Sequence, residues 1–276
     1  MPPRTATRGT KNIASQPDLR ELTTKASAIA GKHFVLATDL DGTFLGGSIQ
    51  DRRALYDWIE DNRASVGLIF VTGRDPEFIV ELTSRQGVPR PEYVVGDVGT
   101  TIAVVTPDGD VEPIGELEAD IAAAWNDDGK RVRRAMTGIS GLTVQPTGFR
   151  HRVSYDIDYD NFDKATACAI VEDLGHEWLI SANRFFDVLP RGFSKGPSLL
   201  KLIGHLGIDP ARCLAAGDTL NDLSMLECGL PAVAVGGAEP PLLEKIRCLD
   251  HVHEAEAIGA AGIVEAIRKF GLHPDI

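Results

Sequence analysis

Short apolar runs, each ending at glycine or a polar residue, are the feature that most restricts the fold of this chain. They are HFVLATD, VGLIFVTGR, EYVVGD, CLAAGD and PAVAVGG. Unbroken apolar runs of this length are typical of strands buried on both faces of a parallel sheet. Amphipathic stretches separate the runs, and strands that alternate with helices predict an α/β fold.

Helix start signals support this alternation. Ser48 precedes Asp51 by three positions, which is a capping-box pattern. Asp75-Pro76 supplies a cap followed by a first-turn proline. Further helices are predicted over residues 197–206 and 255–270, with a surface helix over 239–245.

A stretch in the middle of the chain has a different pattern. Residues 150–159 alternate apolar and polar side chains, which indicates a sheet with one face open to solvent. Helical patterns flank it, one containing Ile121 and Trp125 and another ending near Gly175. EWLI and RFFDVL predict two more strands, so an α+β domain interrupts the α/β domain. The predicted boundaries are 1–30 for an N-terminal tail, 31–116 with 190–276 for the core, and 117–189 for the insertion.

Composition narrows the class of protein. With 276 residues, of which 43% are hydrophobic, the chain can bury a sizeable core. A net charge of -12 argues against a nucleic-acid partner. No apolar run approaches the ~18 residues of a spanning helix, and the N-terminus lacks the apolar segment of a signal peptide. We therefore expect a cytoplasmic protein that contacts neither nucleic acid nor membrane.

The cysteines and the first residues add two smaller expectations. Four cysteines are spread without a CxxC pair, so neither zinc nor a disulfide framework is predicted. Residues 1–17 contain basic residues, threonine, serine and proline but no acid. This composition predicts a disordered tail, with a transit peptide as the alternative.

The apolar runs end in residues suited to one kind of chemistry. Ligands of an open parallel sheet bind beyond the carboxyl ends of its strands. If the strands are neighbours, acids, hydroxyls, an amide and a lysine meet in one crevice. The residues after the runs are Asp39, Asp41 and Thr43, then Thr72, Gly73 and Arg74, and then Asp218, Asn221 and Asp222, with Lys195 ahead of a later helix.

Electrostatics decides what such a crevice needs. Two unit charges at ~4 Å repel by about 4 kcal/mol at an effective dielectric near 20, so clustered carboxylates require a cation. Oxygen ligands without imidazole or thiolate suit Mg²⁺ rather than zinc. Lys195, Thr72 and Asn221 would then bind phosphate oxygens. The alternative for Asp39 and Asp41 is a turn with self-capping side chains, but four unpaired carboxylates have no structural use.

Four segments in register resemble the motifs of haloacid dehalogenase (HAD) superfamily phosphatases. They are DLDGT, VTGR, Lys195 ahead of a helix, and GDTLND. The resemblance implies a Rossmann-like parallel-sheet core. The place of the insertion, between Thr72 and Lys195, is similar to the α+β cap of the type IIB branch.

The resemblance also implies roles for single residues. Asp39 is similar to the nucleophile that forms an aspartyl-phosphate. Asp41 is similar to the general acid that protonates the leaving oxygen and then activates water. Thr72 and Lys195 resemble catalytic phosphate ligands, and Gly73, Arg74 and Asn221 are expected beside them, although Arg74 and Asn221 also have structural alternatives. The implied metal set is Asp39, the Asp41 backbone carbonyl, Asp218, and Asp222 as a support or an additional ligand.

Within the type IIB branch, the chain resembles sugar phosphatases of the sucrose-phosphate phosphatase type. The likeness depends on VGTTI, LTVQP followed by HRVSY, DVLPRGFSKG and AAGIVEAI, and covers residues 34–271. RGFS before Lys195 and the short loop between Gln145 and His151 depart from the expected pattern. The candidates for sugar contacts are Gln145, Arg150, His151, Arg152 and Ser154, against the alternative that they form a solvated strand face.

The function implied is Mg²⁺-dependent hydrolysis of a sugar phosphate through an aspartyl-phosphate. The substrate expected is a disaccharide phosphate such as sucrose 6-phosphate, with mannosylfructose phosphate, trehalose phosphate and mannosylglycerate phosphate as alternatives. A sugar phosphomutase and a non-catalytic sugar-phosphate sensor are the competing functions. We expect a small-molecule sugar phosphate as the partner and a monomer or weak homodimer.

Overall fold

The computed structural model describes residues 28–84, 87–181 and 184–276, and it contains two separate sheets. Most of the predicted tail, residues 1–27, therefore lies outside the described residues. Among the described residues, no helix combines the length and the apolar character needed to cross a membrane.

The larger sheet has eight strands, which are β1 (Phe34–Thr38), β2 (Val66–Val71), β3 (Tyr93–Gly96), β4 (Thr101–Val105), β5 (Val111–Pro113), β10 (Cys213–Gly217), β11 (Ala232–Gly236) and β12 (Val252–Ile258). Their order across the sheet is β12-β11-β10-β1-β2-β3-β4-β5. The strands from β12 to β3 pair in parallel, and β4 and β5 add an antiparallel edge. The central strands β1, β2 and β10 are fully buried, as the unbroken apolar runs predict.

Helices cover both faces of this sheet, with one apolar cluster on each side. The capping box is confirmed: the Asp51 backbone N–H donates to Ser48 Oγ at 3.1 Å, and the Ser48 N–H donates to Asp51 Oδ2 at 3.3 Å. The Phe78 N–H donates to Asp75 at 2.8 Å, which caps the next helix. The helices are α1 (Ile49–Asp61), α2 (Pro76–Ser84), α6 (Lys195–Leu206), α7 (Leu223–Leu226), α8 (Pro240–Ile246) and α9 (Ala260–Phe270).

The helix predicted over residues 255–270 is wrong at its start. Residues Val252–Ile258 form β12, which pairs with β11 at the edge of the sheet, and α9 begins only at Ala260. Gly259, with φ of +56°, separates the two elements. VHEAEAI alternates polar and small apolar residues, which suits a half-exposed edge strand better than a helix face.

The second sheet consists of β6 (Leu142–Val144), β7 (Val153–Ile157), β8 (Glu177–Ser181) and β9 (Phe185–Leu189), with helices α3 (Gly115–Trp125), α4 (Gly129–Ala135) and α5 (Lys164–Asp173). It is antiparallel in the order β6-β7-β9-β8 and has its own apolar core. The two strands predicted from EWLI and RFFDVL are present, and Trp125 is buried in this core.

The prediction of a sheet face open to solvent fails at the start of β7 and holds toward its end, where the Asp156 side chain is 44% exposed. Ser154 on β7 and Asp187 on β9 are only 3% exposed, and Arg152 just before β7 is 5% exposed. These polar side chains bond to one another and to the larger sheet's loops. The alternation is real, but the polar face is covered by core-domain loops at Arg152 and by Asp187 of the neighbouring strand at Ser154.

Candidate active site

The acids that follow β1 and β10 lie side by side. The two strands are neighbours, and the Asp39 backbone N–H donates to the Ala216 carbonyl at 2.9 Å. Asp39, Asp218 and Asp222 each offer a carboxylate oxygen within 4.8 Å of the others. The Asp41 side chain does not belong to this cluster. Three carboxylates in so small a volume repel strongly unless cations balance them.

Lys195, the first residue of α6, supplies one positive charge to balance these carboxylates. Its ammonium is fully buried and donates to Asp39 Oδ1 at 2.6 Å, Asp222 Oδ1 at 2.6 Å and Asn221 Oδ1 at 2.9 Å. All three N–H donors of the lysine are therefore used. One positive charge against three carboxylates leaves an excess of negative charge that a divalent cation would neutralise.

The three acids differ in how their oxygens are occupied. Asp222 is fully buried, and its Oδ2 accepts hydrogen bonds from the backbone N–H groups of Asp218 and Thr219, both at 3.0 Å. Asp218 Oδ1 accepts a bond from the Thr43 hydroxyl at 2.8 Å. Protein donors already occupy both carboxylate oxygens of Asp222, so Asp222 is suited to hold the other acids in place. Asp39 and Asp218 each keep an oxygen that a metal ion could bind.

Gly42 is required for this packing. It adopts φ of +84°, and a Cβ built there would lie 2.1 Å from Asp218 Oδ2. Any side chain would therefore displace the Asp218 carboxylate, in addition to the cost of the left-handed backbone. The glycine of the DLDGT motif thus makes room for the acid that arrives from β10.

Burial shifts the titration of these groups. Burial, with the neighbouring Asp222 charge, raises the pKa of Asp218 to about 6. Burial also raises the pKa of Asp39, against the attraction of Lys195. Although burial alone would lower it, the pKa of Lys195 is raised by Asp222 and Asp39. Lys195 therefore stays charged, and the carboxylates gain from a second cation.

A pH-dependent response to metal follows from the Asp218 shift. A carboxyl whose pKa rises from 3.8 in the unfolded chain to about 6 favours folding when protonated, and this contribution is lost as the pH rises through 6. A divalent cation replaces the lost proton. We expect Mg²⁺ to raise the melting temperature over a chelator control more at about pH 8 than at about pH 5. Equal gains at both pH values, or an undiminished gain in Asp218→Asn, would contradict this expectation.

Asp41 points away from the cluster and pairs with Arg74. The Arg74 guanidinium donates from Nε to Asp41 Oδ2 at 2.8 Å and from Nη2 to Oδ1 at 3.0 Å. Both side chains are about half exposed, at 55% for Asp41 and 50% for Arg74. The pair lies at the wall of a cavity that also contains Asp39.

Thr72 and Asn221, two further predicted phosphate contacts, differ in access. Thr72 is buried, its hydroxyl oxygen accepts a bond from the Arg74 backbone N–H at 3.1 Å, and it is not among the residues that line the cavity. Asn221 lines the cavity and accepts from Lys195. Gly73 also lines the cavity.

The cavity, of about 550 Å³, lies between the two sheets. Asp39, Asp41 and Asn221 line it from the larger sheet, and Gln145 and Arg152 line it from the insertion. Its size and mixed polar lining suit a phosphorylated sugar. Residues of the lining that sequence reasoning missed are Asp75, Val98, Thr147, Phe149, Ser181, Arg184, Phe185, Asp187 and Thr219. Asp187 and Val98 fall inside segments singled out above for their family likeness.

The remaining cap candidates lie elsewhere. His151 Nε2 is 2.7 Å from Glu118 Oε1, and Arg150 pairs with the same oxygen at 2.5 Å, so both side chains are engaged at the start of the insertion. The Ser154 hydroxyl donates to Asp187. Of the proposed sugar contacts, the structure places Gln145 and Arg152 at the cavity.

A turn after β3 has strained backbone beside the site. Asp97 and Val98 adopt φ of +52° and +60°, in the left-handed region that β-branched residues rarely enter. Such conformations cost about 1–3 kcal/mol each and persist only where surrounding contacts hold them. The Val98 N–H donates to the Thr72 carbonyl at 3.1 Å, and the Asp97 N–H donates to the Arg74 carbonyl at 2.9 Å. The strain thus lies next to the VTGR segment.

Solved structures share this architecture of a mostly parallel sheet and an inserted antiparallel one. A haloacid dehalogenase-like hydrolase from Bacillus subtilis has a TM-score of 0.63 at 18% identity, and covers 90% of this chain and 95% of its own. The sucrose-phosphatase from Synechocystis sp. PCC6803, in complex with sucrose and phosphate, has a TM-score of 0.78 at 25% identity, over 87% of this chain and 98% of its own. The fold is that of the haloacid dehalogenase class, which confirms the predicted fold class.

The family follows from the sequence comparison. The chain belongs to the sucrose-6F-phosphate phosphohydrolase family, which matches residues 32–271. Glucosylglycerol-phosphate synthase from Pseudomonas anguilliseptica is 40% identical over 86% of this chain, which spans only 31% of that relative. Mannosylfructose-phosphate phosphatase from Agrobacterium fabrum is 29% identical over 87% of this chain and 98% of its own length. The resemblance to sugar phosphatases of the HAD superfamily is therefore confirmed.

Proposed function

We propose that this protein is a Mg²⁺-dependent phosphatase that hydrolyses a sugar phosphate through a phosphorylated Asp39. The observation that supports this most is the position of Asp39, which is held by the fully buried Lys195 and open to a cavity shared with the insertion. A charged nucleophile, a fixed ammonium and a sugar-sized space are the parts that phosphoryl transfer from a sugar requires.

We assign the attack on phosphorus to the Asp39 carboxylate, which Lys195 holds in place through Oδ1. The bond between phosphorus and the sugar oxygen breaks while Asp41 donates a proton to that oxygen. Asp41 then takes a proton from the water that cleaves the aspartyl-phosphate. The guanidinium group of an arginine binds phosphate as well as carboxylate. We therefore infer that the phosphate of the incoming substrate replaces the Asp41 carboxylate as the partner of Arg74.

The donor set fits Mg²⁺. Asp39 and Asp218 offer hard oxygen ligands, and neither imidazole nor thiolate belongs to the described acid cluster. We propose that these two residues hold the ion and that Asp222 supports them. The ion would neutralise charge on the phosphate oxygens.

The substrate we propose is a disaccharide phosphate such as sucrose 6-phosphate, in keeping with the family. A glucosylglycerol phosphate is the second candidate, because the synthase named for that compound is 40% identical to this chain, against 29% for the mannosylfructose-phosphate phosphatase. Both compounds contain a phosphorylated unit joined to a second polar unit. We propose that the second unit lies in the part of the cavity that the insertion lines.

Phosphate release across a substrate panel tests this proposal. The panel contains sucrose 6-phosphate, glucosylglycerol phosphate, mannosylfructose phosphate, trehalose phosphate, mannosylglycerate phosphate and glucose 6-phosphate, each with Mg²⁺ and with chelator. We expect kcat/KM for one glycosylated substrate to exceed that for glucose 6-phosphate by roughly a hundredfold, with loss of activity in chelator. An isomer formed without phosphate would indicate a mutase. No phosphate from any substrate, a generic aryl phosphate included, would indicate a sensor.

We also propose that the insertion is a cap domain over residues 117–189, between core segments 31–116 and 190–276. The separate apolar core of the antiparallel sheet supports an inserted domain, whereas Leu117 and Ile121, inside the proposed boundary, pack with the core of the larger sheet. We propose a cytoplasmic protein that acts as a monomer or weak homodimer.

A further inference from the structure

We propose that Asp97 is a positioning residue that couples the insertion to Lys195. Arg152 of the insertion holds Asp97, Asp97 fixes the turn formed by residues 97–99, and this turn places the start of α6. The inference rests on the proposed function. It adds that the contact between the insertion and the core influences kcat through the position of Lys195.

The first link is Arg152. Its guanidinium donates from Nη1 to Asp187 Oδ1 at 3.1 Å and from Nη2 to the Gly73 carbonyl at 3.2 Å, and Nη2 lies 3.5 Å from Asp97 Oδ1. The Phe149 ring covers it at 3.6 Å. One side chain of the insertion thus contacts both core loops at the cavity. Arg152 is 5% exposed, its Nη1 and Nη2 donate to protein acceptors, and its Nε has no hydrogen-bond partner among the described residues.

The second link is the Asp97 side chain. Asp97 is 6% exposed, and its Oδ2 accepts a bond from the Thr101 hydroxyl at 2.6 Å. Its other oxygen, Oδ1, has no hydrogen bond, and the positive charge of Arg152 at 3.5 Å stabilises it electrostatically. Because the backbone of Asp97 and Val98 is left-handed without glycine, the turn needs these contacts to keep its shape.

The third link is the contact between the turn and α6. Gly99 has φ of +101°, and a Cβ built there would lie 2.3 Å from the Ser194 carbonyl carbon and 2.8 Å from the Lys195 nitrogen. The Ser198 hydroxyl donates to the Gly99 carbonyl at 2.7 Å. The turn is therefore in direct contact with the backbone of the residue whose ammonium binds Asp39.

These links give Arg152 and Asp97 a different role from sugar contacts. A sugar contact acts only on substrates that carry the sugar. A coupling through the turn acts on Lys195, and so on every phosphate ester, because a displacement of about 1 Å at a reacting group can cost on the order of a hundredfold in rate. The two roles differ in which substrates and which kinetic constants change.

The experiment measures kcat and KM for Asp97→Asn, Arg152→Met and the double variant, on the best sugar phosphate and on p-nitrophenyl phosphate. We expect kcat to fall by roughly ten- to a hundredfold on both substrates, with KM changed by less than about threefold. The double variant should fall no further than the single variants, because both break the same link. Arg152→Lys, which keeps the charge, should recover part of the loss.

Arg131→Met is the matched control, because Arg131 is an exposed arginine of the insertion that pairs with Asp128. We expect wild-type kinetics for it. Melting temperatures are measured for every variant, and Asp97→Asn, which keeps the side-chain size, decides the question if Arg152→Met does not fold. Wild-type kcat in Asp97→Asn, or an Arg152→Met effect confined to KM for the sugar phosphate, would overturn the inference. Absence of phosphate release by the wild type would instead contradict the proposed function.

Discussion

Asp39→Asn is expected to lower phosphate release by roughly ten-thousand-fold or more, since an amide cannot attack phosphorus. The folded structure should remain, because the amide oxygen can still accept from Lys195. Burial raises the pKa of Asp39, so removing its charge relieves repulsion within the acid cluster. We therefore expect the metal-free variant to melt no lower than the wild type. Phosphate release and thermal unfolding, both measured with and without Mg²⁺, check the two parts.

Asp110→Asn provides the control for this substitution. Asp110 is an exposed aspartate in the turn before β5, far from the acid cluster in the fold. The same change there should leave both activity and melting temperature at wild-type values. Full turnover in Asp39→Asn would exclude Asp39 as the nucleophile.

Lys195→Met is the second change with a large expected effect. The substitution keeps the apolar length of the side chain but leaves Asp39 and Asp222 buried without their cation. Breaking a buried ion pair in this way costs about 3–5 kcal/mol of unfolding free energy. Loss of the charge should also lower kcat by roughly a thousandfold, as expected for a group that stabilises developing charge.

Urea unfolding of Lys195→Met with chelator and with Mg²⁺ measures this loss. We expect Mg²⁺ to restore part of the stability, because a second cation can balance the same carboxylates. Lys201→Met is the matched control in the same helix, since Lys201 is 41% exposed and lies 4.0 Å from Asp120. A Lys195→Met variant as stable as the control would show that the ammonium is not needed to balance the cluster.

The sequence predicts the acid cluster because all strands of a parallel sheet place their carboxyl ends at the same edge. Asp39 and Asp218 each end an apolar run, and parallel neighbouring strands bring such ends together. Ser48 and Asp75 cap the N-termini of their helices through side-chain hydrogen bonds to residues three positions later. The parts of the fold that depend on such short-range chemistry agree with the prediction.

The rest depends on contacts between distant parts of the chain. The alternating pattern around Ser154 predicts a polar face, but only the folded chain shows that Asp187 and the core cover it. The pairing of Arg152 with Asp97 joins segments far apart in sequence. Residues 252–258 alternate polar and small apolar residues as an edge strand does, but only the pairing with β11 shows that the segment forms one.

The candidate site divides its parts between separate elements. Asp39 and Asp218 directly follow β1 and β10, and Lys195 begins α6, whereas Gln145 directly follows β6 and Asp187 lies in β9 of the antiparallel sheet. A change of sugar preference can therefore arise by mutation in the insertion while the acids and the lysine stay as they are. The exception is Arg152, which contacts both parts, so a substitution at this position would disturb the core loops at the cavity together with the insertion.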